Sequence, residues 1–301
     1  MTKIQKNNVA VIGLGQMGSG IAKNIDNAGF LRAVVDNNKN AISTYDSRKN
    51  ILVNNNIDMC NSCDVLIFVV PSTKQISEII FDQDGIISNL KEGTVIVDLT
   101  TSDPKESSRL SKKLEEYKIS YLDCGMTGGA TGADNGTLTL MIGGKIEKLN
   151  EVSPILESFT NKLFHVGKSG SGHALKLLHN MVTHTIFFSN VEAVRAAKEF
   201  EISPEKVIEV FNAGNARSYI SEFRFPVNVL SGEWNARSKV SNLQKDLKMA
   251  TDILNEKNIP NPYGSLTSDL LDQAMEIGME NTDFSKIYLE YENLVNLYNK
   301  K

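Results

Sequence analysis

The chain has 301 residues, of which 41% are hydrophobic and 23% charged, and its formal net charge is −4 at pH 7. This length exceeds what a single hydrophobic core usually serves, so it predicts two domains. The acidic balance argues against nucleic acid or an anionic membrane as the main partner. No apolar run approaches the roughly 20 residues that cross a bilayer, and no apolar signal segment precedes the first strand, so we expect a cytoplasmic protein.

The cysteines indicate neither a disulfide framework nor a metal site. There are three of them, Cys60, Cys63 and Cys124, and an odd number does not suggest paired bridges. Cys60 and Cys63 form a Cys-x-x-Cys pair, but no second Cys pair or His pair stands at zinc spacing. We expect ordinary thiols and no bound metal.

Short apolar runs alternate with helical patterns in the first half of the chain. The runs predict strands over 8–13, 31–35, 65–70, 94–99, 120–124, 139–142 and 163–166, and a helix over 16–28 follows the first of them. Continuous apolar strands separated by helices are typical of a parallel sheet covered on both faces. The pattern therefore predicts an α/β fold of the doubly wound Rossmann class, whose ligands bind at the carboxyl ends of the strands.

The second half is helical throughout. Helices are predicted over 174–199, 203–211, 240–257, 262–278 and 286–299. The change of pattern falls in a glycine- and serine-rich run over 167–172. We therefore expect a Rossmann domain over 1–168 and a C-terminal all-α domain over 169–301.

A glycine loop follows the first predicted strand and opens the first predicted helix. Its pattern is Gly13-x-Gly15-x-x-Gly18, with Leu14, Gln16 and Met17 between the glycines. The first glycine permits a tight turn, the second lets backbone approach a pyrophosphate, and the third allows close packing of helix and strand. The helix N-terminus adds amide donors for the phosphates. These six residues are predicted to bind a dinucleotide.

Asp36 ends the second predicted strand, where an acidic residue would bind the 2′-hydroxyl of the adenosine ribose. A carboxylate repels the 2′-phosphate of NADP, although Lys39 is nearby in the sequence. NAD is therefore the expected cofactor, with NADP possible.

Lys176 and Asn180 lie four residues apart on a predicted helix and therefore share one of its faces. Such a pair suits the oxidation of a hydroxyl group: the amide orients the substrate, and the lysine accepts the hydroxyl proton while hydride leaves for a nicotinamide. The spacing alone fits a surface lysine on an amphipathic helix equally well.

Taken together, these motifs resemble the β-hydroxyacid dehydrogenases, the family that includes 3-hydroxyisobutyrate dehydrogenase and 6-phosphogluconate dehydrogenase. The resemblance covers almost the whole chain. Besides the glycine loop and the Lys176 segment, it rests on Val70-Pro71 and on the segments 98–104, 123–129, 136–144 and 245–247.

The resemblance implies roles for individual residues. Thr127-Gly128-Gly129 matches the Ser-Gly-Gly loop that holds the substrate carboxylate, with threonine in place of serine. Lys176 matches the catalytic lysine, and Asn180 the substrate-orienting asparagine. Further positions match residues that contact the cofactor: Val70, Pro71, Gln75, Thr101 and Lys245.

One feature resembles the 6-phosphogluconate dehydrogenases, whereas others differ from them. His179 replaces the first asparagine of the usual Lys-x-x-Asn-Asn, which is a feature of those enzymes. Thr183, however, stands where they carry a glutamate that protonates the product of decarboxylation, and their large C-terminal domain is absent. Oxidative decarboxylation of a sugar acid is therefore the alternative interpretation.

Arg217 lies between two predicted helices and could bind the far end of an anionic substrate. A solvated loop arginine is equally consistent with its position. Together with the resemblance, the sequence predicts an NAD-preferring dehydrogenase that interconverts a small 3-hydroxy acid and its semialdehyde. The resemblance also implies a homodimer or homotetramer, with NAD(P) bound by the domain over 1–168 and with substrate binding and oligomerisation in the domain over 169–301. A non-catalytic NAD sensor is a further alternative. An imine reductase is less consistent with the chain, because such relatives usually replace the lysine.

Overall fold

The computed structural model describes residues 8–48, 51–54, 57–83 and 85–300. The chain divides into two compact units, Met1–Lys176 and Leu177–Lys301. The domain boundary expected after residue 168 stays a prediction. None of the helices within the described ranges is long and apolar enough to cross a membrane.

The first unit is built on one eight-stranded sheet with the order β3-β2-β1-β4-β5-β6-β7-β8. The strands are β1 (Val9–Ile12), β2 (Leu31–Val35), β3 (Leu52–Asn54), β4 (Val65–Phe68), β5 (Val95–Asp98), β6 (Ser120–Thr127), β7 (Leu138–Gly143) and β8 (Thr160–Gly167). Strands β1, β2, β4 and β5 consist almost wholly of buried residues, as their continuous apolar runs predict. The predicted Rossmann class is therefore confirmed.

Helices lie between the strands. They are α1 (Gly18–Asn27), α2 (Lys39–Ile42), α3 (Thr73–Phe81), α4 (Pro104–Glu115), α5 (Gly129–Asn135) and α6 (Ile146–Leu156). The start of α4 is encoded locally: the Asp103 side chain accepts a hydrogen bond from the Lys105 amide at 2.8 Å, and Pro104 occupies the first turn. The N-cap of α3 is Ser72, whose hydroxyl accepts a hydrogen bond from the Gln75 amide at 3.3 Å.

One strand pair departs from the parallel sheet that the sequence predicts, because β7 runs antiparallel to β6. Only residues 128–137 separate the two strands. A parallel crossover needs a dozen or more residues, so this connection is too short for one. Strand β8 is parallel to β7, with register shifts after Leu138 and Ile142.

The apolar core of the first unit lies on both faces of the sheet, and the three cysteines are part of it. All three are buried free thiols. Burial raises the pKa of Cys60 to about 12 and that of Cys63 to about 11, so both thiols stay protonated at neutral pH. Within the described ranges, no three Cys, His, Asp or Glu residues are grouped as metal ligands would be.

The second unit is helical, which confirms the predicted C-terminal class. Its helices are α7 (Ser171–Ala197), which begins in the first unit, α8 (Pro204–Ala213), a π-helix (Ile220–Leu230), α9 (Val240–Glu256), α10 (Pro262–Glu276) and α11 (Ile287–Tyr298). Their apolar faces form a separate core that contains Phe187, Phe225 and Phe284. The Phe187 ring packs edge-on against Phe284, with the ring centres 5.0 Å apart.

Candidate active site

The glycine loop turns directly out of β1 into α1. Gly13 has a φ of +95°, which favours glycine, and a Cβ added there would lie 2.3 Å from the Val69 carbonyl oxygen. A Cβ at Gly18 would lie 1.9 Å from the Gly13 carbonyl oxygen, so the helix start packs against the turn itself. A Cβ at Gly15 would meet nothing within 4 Å. The loop backbone is therefore open on the side that a pyrophosphate would need.

The other three loop residues have different surroundings. Leu14 is buried, Met17 is half-buried and Gln16 is exposed. Met17 is the N-cap of α1, and its side chain makes no capping hydrogen bond. The positive end of this ten-residue helix is therefore not neutralised by its own cap, which suits the binding of an anion.

Asp36 follows β2 and ties that strand end to the glycine loop. The Leu14 amide donates to Asp36 Oδ2 at 2.6 Å, and the Asn38 amide donates to Oδ1 at 2.7 Å. A carboxylate has about four acceptor positions. Asp36 can therefore accept a ribose hydroxyl in addition to these two amides.

The remaining cofactor residues predicted for the first unit lie at the same edge of the sheet. Val70 and Pro71 follow β4, Thr101 follows β5, and Gln75 is in the first turn of α3. Strand β4 pairs with β1 on one side and with β5 on the other. The carboxyl ends of these strands therefore bring the four residues alongside the glycine loop.

The predicted substrate loop follows β6, which is the neighbour of β5. Thr127 is the last residue of β6 and is paired with Thr139 of β7. Gly128 has a φ of 123° and is exposed, and Gly129, with a φ of 64°, begins α5. Two successive residues with positive φ turn the chain sharply at the edge that carries the cofactor residues.

Lys176 lies close to this loop because α7 packs directly on β6. A Cβ at Gly125 would lie 2.4 Å from Lys176 Cβ and 2.9 Å from the Gly172 carbonyl oxygen. A Cβ at Gly172 would in turn lie 2.2 Å from the Asp123 carbonyl oxygen. Lys176 is only 9% exposed, so the structure excludes the alternative of a surface lysine.

A buried carboxylate holds the start of α7 on the sheet. The Gly170 amide donates to Asp123 Oδ1 at 2.7 Å, and the His173 amide donates to Oδ2 at 3.1 Å. Gly170 directly precedes the helix and His173 lies in its first turn, where backbone amides have no partner within the helix. The negative charge also interacts favourably with the positive end of the 27-residue helix.

Asp123 has a second buried carboxylate beside it, because it pairs in register with Asp98 of β5. Asp98 Oδ2 accepts from the Tyr121 hydroxyl at 2.6 Å and from Thr73 Oγ1 at 2.7 Å, and its Oδ1 accepts from the Thr100 amide at 2.8 Å. Three donors therefore compensate the burial of this charge.

His173 completes what we call the carboxylate–histidine cluster (Asp98, Asp123, His173). Its Nδ1 lies 2.8 Å from Ser107 Oγ, and its buried Nε2 makes no hydrogen bond but lies 3.9 Å from Asp98 Oδ1. His173, in the first turn of α7, thus contacts Ser107 of α4, Asp98 of β5 and Asp123 of β6. These contacts hold the helix that carries Lys176 in position on the sheet.

Burial raises the pKa of Asp123, while His173 and the two amide donors act in the opposite direction. Burial also raises the pKa of Tyr121 well above its ordinary value, and the charge of Asp98 adds to this effect. Tyr121 therefore keeps its proton at neutral pH and remains a hydrogen-bond donor to Asp98.

In the second unit, Asn180 is one turn beyond Lys176 on α7. Its Nδ2 donates to Asp246 Oδ2 at 2.7 Å, and its Oδ1 lies 3.2 Å from His179 Nδ1. Lys245 is 45% exposed, and its ammonium lies 3.2 Å from Asp246 Oδ1. The structure therefore brings two predicted site residues, Asn180 and Lys245, to one buried carboxylate.

Arg217 has a different setting. It lies in the exposed loop between α8 and the π-helix, and its Nε is 3.2 Å from Glu222 Oε1. The side chain is 64% exposed, so this ion pair contributes little to stability. A role for Arg217 in substrate binding stays a prediction.

Sequence reasoning gave no role to four residues that support the site, namely Asp98, Asp123, His173 and Asp246. One signal was available for the first two: an acidic residue within or at the end of a buried strand is costly to bury unless it has partners. His173 and Asp246 offer no comparable signal, because their partners lie far away in the sequence.

Two protein-family models match the chain. Residues 8–167 match the NAD-binding domain of 6-phosphogluconate dehydrogenase. Residues 170–291 match a model described as the NAD-binding domain of NADP-dependent 3-hydroxyisobutyrate dehydrogenase. Together they span nearly all of the chain.

Individual proteins match over almost their full length. The chain is 26% identical over 286 residues to 2-(hydroxymethyl)glutarate dehydrogenase of Eubacterium barkeri, covering 95% of each. It is 28% identical over 290 residues to mitochondrial 3-hydroxyisobutyrate dehydrogenase of Drosophila melanogaster, covering 93% of this chain and 88% of the relative. The structure of Mycobacterium tuberculosis 3-hydroxyisobutyrate dehydrogenase with L-serine has the same fold, with a TM-score of 0.86, 22% identity, and coverage of 95% of this chain and 99% of that one.

The close packing of Lys176 on Gly125 can be tested by substitution of the glycine. Gly125→Ala places a Cβ against Lys176 Cβ and the Gly172 carbonyl, so α7 must shift on β6. We expect the free energy of unfolding, measured by urea denaturation, to fall by about 1–3 kcal/mol. Gly214→Ala is the control, because its Cβ would meet only the Val210 carbonyl oxygen at 3.4 Å. Equal stability of the two variants would contradict the close packing.

Proposed function

Because this chain belongs to the β-hydroxyacid dehydrogenase family, whose members are NAD(P)-dependent dehydrogenases of CH–OH groups, we propose that it interconverts a small 3-hydroxy acid and its semialdehyde. We propose Lys176 as the residue that transfers the proton. The direction of net flux depends on the concentrations of substrate and cofactor, and the same groups serve both directions.

The proposal rests on the burial and the position of Lys176. Lys176 is nine-tenths buried and packs on β6 at Gly125, two residues ahead of the Thr127–Gly129 loop. Burial from solvent favours the neutral form of a lysine, which is the form that can accept a proton. The Lys176 side chain therefore starts two residues before a loop of hydroxyl and amide donors, and a lysine at such a place can exchange a proton with a substrate whose carboxylate the loop holds.

Each residue then has one task in the oxidative direction. Thr127, Gly128 and Gly129 hold the substrate carboxylate with a hydroxyl and backbone amides. Asn180 orients the carbon that carries the hydroxyl group. The Lys176 amine accepts the hydroxyl proton as the C–H bond breaks and the carbonyl double bond forms, and it returns the proton in the reduction.

The cofactor positions fit a dinucleotide, since the glycine loop is open and the N-terminus of α1 lacks a side-chain cap. A bound nicotinamide supplies the hydride acceptor or donor. We propose that the loop Gly13–Gly18 holds the pyrophosphate, that Asp36 binds the adenosine ribose, and that NAD is preferred to NADP. Four further residues of the first unit and one of the second complete the contacts in this proposal: Val70, Pro71, Gln75, Thr101 and Lys245.

The substrate is proposed to be a hydroxy acid because two relatives are named for 2-(hydroxymethyl)glutarate and for 3-hydroxyisobutyrate. Both compounds carry a hydroxymethyl group next to a carbon that bears a carboxylate. We propose that Arg217 binds the end of an anionic substrate that lies away from the reacting carbon. The ion pair between Arg217 and Glu222 would have to break for this binding.

Decarboxylation of a sugar acid is the second candidate, favoured by the match of residues 8–167 to a 6-phosphogluconate dehydrogenase domain. That reaction needs an acid two turns after the lysine, where this chain has Thr183. The Thr183 hydroxyl donates to the His179 carbonyl at 2.8 Å, within its own helix. Thr183 thus has neither the acidity nor the hydrogen-bond freedom of a glutamate, which favours simple oxidation.

We further propose that the protein acts in the cytoplasm as a homodimer or homotetramer. The proposal rests on the family to which the chain belongs, and exposed apolar side chains of the second unit, for example Phe200 at 76% and Tyr263 at 77% exposure, are candidates for the contact between subunits. The molar mass from light scattering would equal that of a single chain if this proposal were wrong.

The test of the function is the formation of NADH over a panel of substrates, with a matched pair of lysine variants. The panel contains 3-hydroxyisobutyrate, 2-(hydroxymethyl)glutarate, glycerate, 4-hydroxybutyrate and 6-phosphogluconate. We expect turnover without release of CO₂, and in Lys176→Ala a fall in kcat of about 10²–10⁴-fold, as is usual for the loss of general acid–base catalysis. Lys162→Ala, on the exposed part of β8, should behave as the unmodified protein does.

Other results would redirect the assignment. Release of CO₂ from 6-phosphogluconate would favour the second candidate. Binding of NAD without turnover on any hydroxy acid would favour an NAD sensor.

The cofactor preference is tested at Asp36. Asp36→Asn keeps an acceptor for the Leu14 or Asn38 amide but removes the charge that repels a 2′-phosphate. We expect kcat/KM for NADP to rise, and kcat/KM for NAD to fall roughly tenfold as a charge-assisted hydrogen bond to the ribose is lost. An unchanged ratio of the two values would remove Asp36 from the cofactor site.

A further inference from the structure

Asp246 is a buried acidic residue to which the proposed reaction gives no task. It is 8% exposed and lies on the face of α9 that also buries Leu243, Leu247 and Ala250. An ionised carboxylate on the apolar face of a helix is costly unless donors compensate it. Donor groups around Asp246 must therefore stabilise its carboxylate.

The strongest contact of Asp246 is with Asn180. The amide Nδ2 donates to carboxylate Oδ2 at 2.7 Å, a short distance typical of a charge-assisted hydrogen bond. Asp246 Oδ1 makes no directed hydrogen bond, but the Lys245 ammonium lies 3.2 Å away as an ion-pair partner. Since Lys245 is half-exposed, this second contact is screened by solvent and is the weaker of the two.

The hydrogen bond selects one of two amide orientations. Rotation of an asparagine side chain by half a turn exchanges its nitrogen donor and its oxygen acceptor. An ionised carboxylate only accepts hydrogen bonds, so it requires the nitrogen of Asn180 to face Asp246. The oxygen then faces the opposite way, towards His179 Nδ1 at 3.2 Å. Without Asp246, the two orientations of the amide would be closer in energy.

We propose that Asp246 is a positioning residue that locks the side-chain amide of Asn180 in one orientation, so that Asn180 presents its acceptor oxygen and its second N–H in fixed directions. The inference rests on the proposed function in so far as Asn180 orients the substrate. The chemistry it implies for the substrate is a hydroxyl or carboxylate group with a defined direction towards that amide.

The test is a double-mutant cycle between Asp246 and Asn180, in the full-length protein with NAD. We expect Asp246→Leu to lower kcat/KM for the hydroxy acid roughly 10- to 100-fold, the usual effect of losing a hydrogen bond to a charged group. Asp246→Asn keeps an acceptor oxygen and should lose less. In the Asn180→Ala background, Asp246→Leu should cause no further loss. The proposal would be overturned if the losses in kcat/KM of the two single variants multiplied in the double variant. An unchanged kcat/KM in Asp246→Leu would overturn it as well.

Two controls separate positioning from a general loss of structure. Asp252→Asn alters an exposed acid on the same helix, which pairs with Lys248, and should leave all kinetic constants unchanged. The dissociation constant for NAD should change little in Asp246→Asn, since the contact with Lys245 is weak. A loss of NAD binding as large as the loss of turnover would assign Asp246 to the cofactor contact instead.

A spectroscopic measurement tests the lock without turnover. The side-chain amide resonance of Asn180, identified by its disappearance in Asn180→Ala, should shift and exchange faster with solvent in Asp246→Asn and in Asp246→Leu. If the unmodified protein oxidises no hydroxy acid, the proposed function fails while this measurement still decides the inference. An Asn180 resonance that is the same with and without Asp246 would overturn it.

Discussion

Two backbone N–H groups at the start of α7 donate to the buried carboxylate of Asp123, and the position of the proposed site depends on that contact. It fixes the helix start on β6, where Gly172 and Gly125 leave room for the helix to lie directly on the strand. Lys176 is carried to the substrate loop as a result. The interaction is both a helix cap and the anchor of the proposed catalytic residue.

The fold and much of the candidate site could be predicted because both depend on local constraints. A turn that needs positive φ at Gly13, and a helix that starts against it at Gly18, leave glycines at fixed spacing. Strands buried on both faces leave continuous apolar runs. Lys176 could be assigned only through family resemblance, since its spacing from Asn180 also fits a surface helix. Its burial is a property of the folded chain.

What could not be predicted depends on residues that are distant in sequence. The registry of Asp98 with Asp123 is set by the pairing of β5 with β6, which no local pattern encodes. The contact of Asp246 with Asn180 likewise depends on how α9 packs on α7. The reversal of β7 follows from the short connection before it, whose consequence is visible only once both strands are known. The π-helix over Ile220–Leu230 contains Pro226 and gives no regular period to detect.

The two edges of the sheet have a consequence for the behaviour of the protein at high concentration. An edge strand offers unpaired backbone groups to other chains and is a common origin of aggregation. Here one edge strand, β3, has three residues within the described part of the chain. The other edge, β8, has an irregular register with β7 and exposes Asn161, Lys162, Phe164 and His165. Register irregularities bend a strand, and a bent edge is a poorer template for strand addition than a regular one, so the shifts between β7 and β8 protect this edge of the sheet.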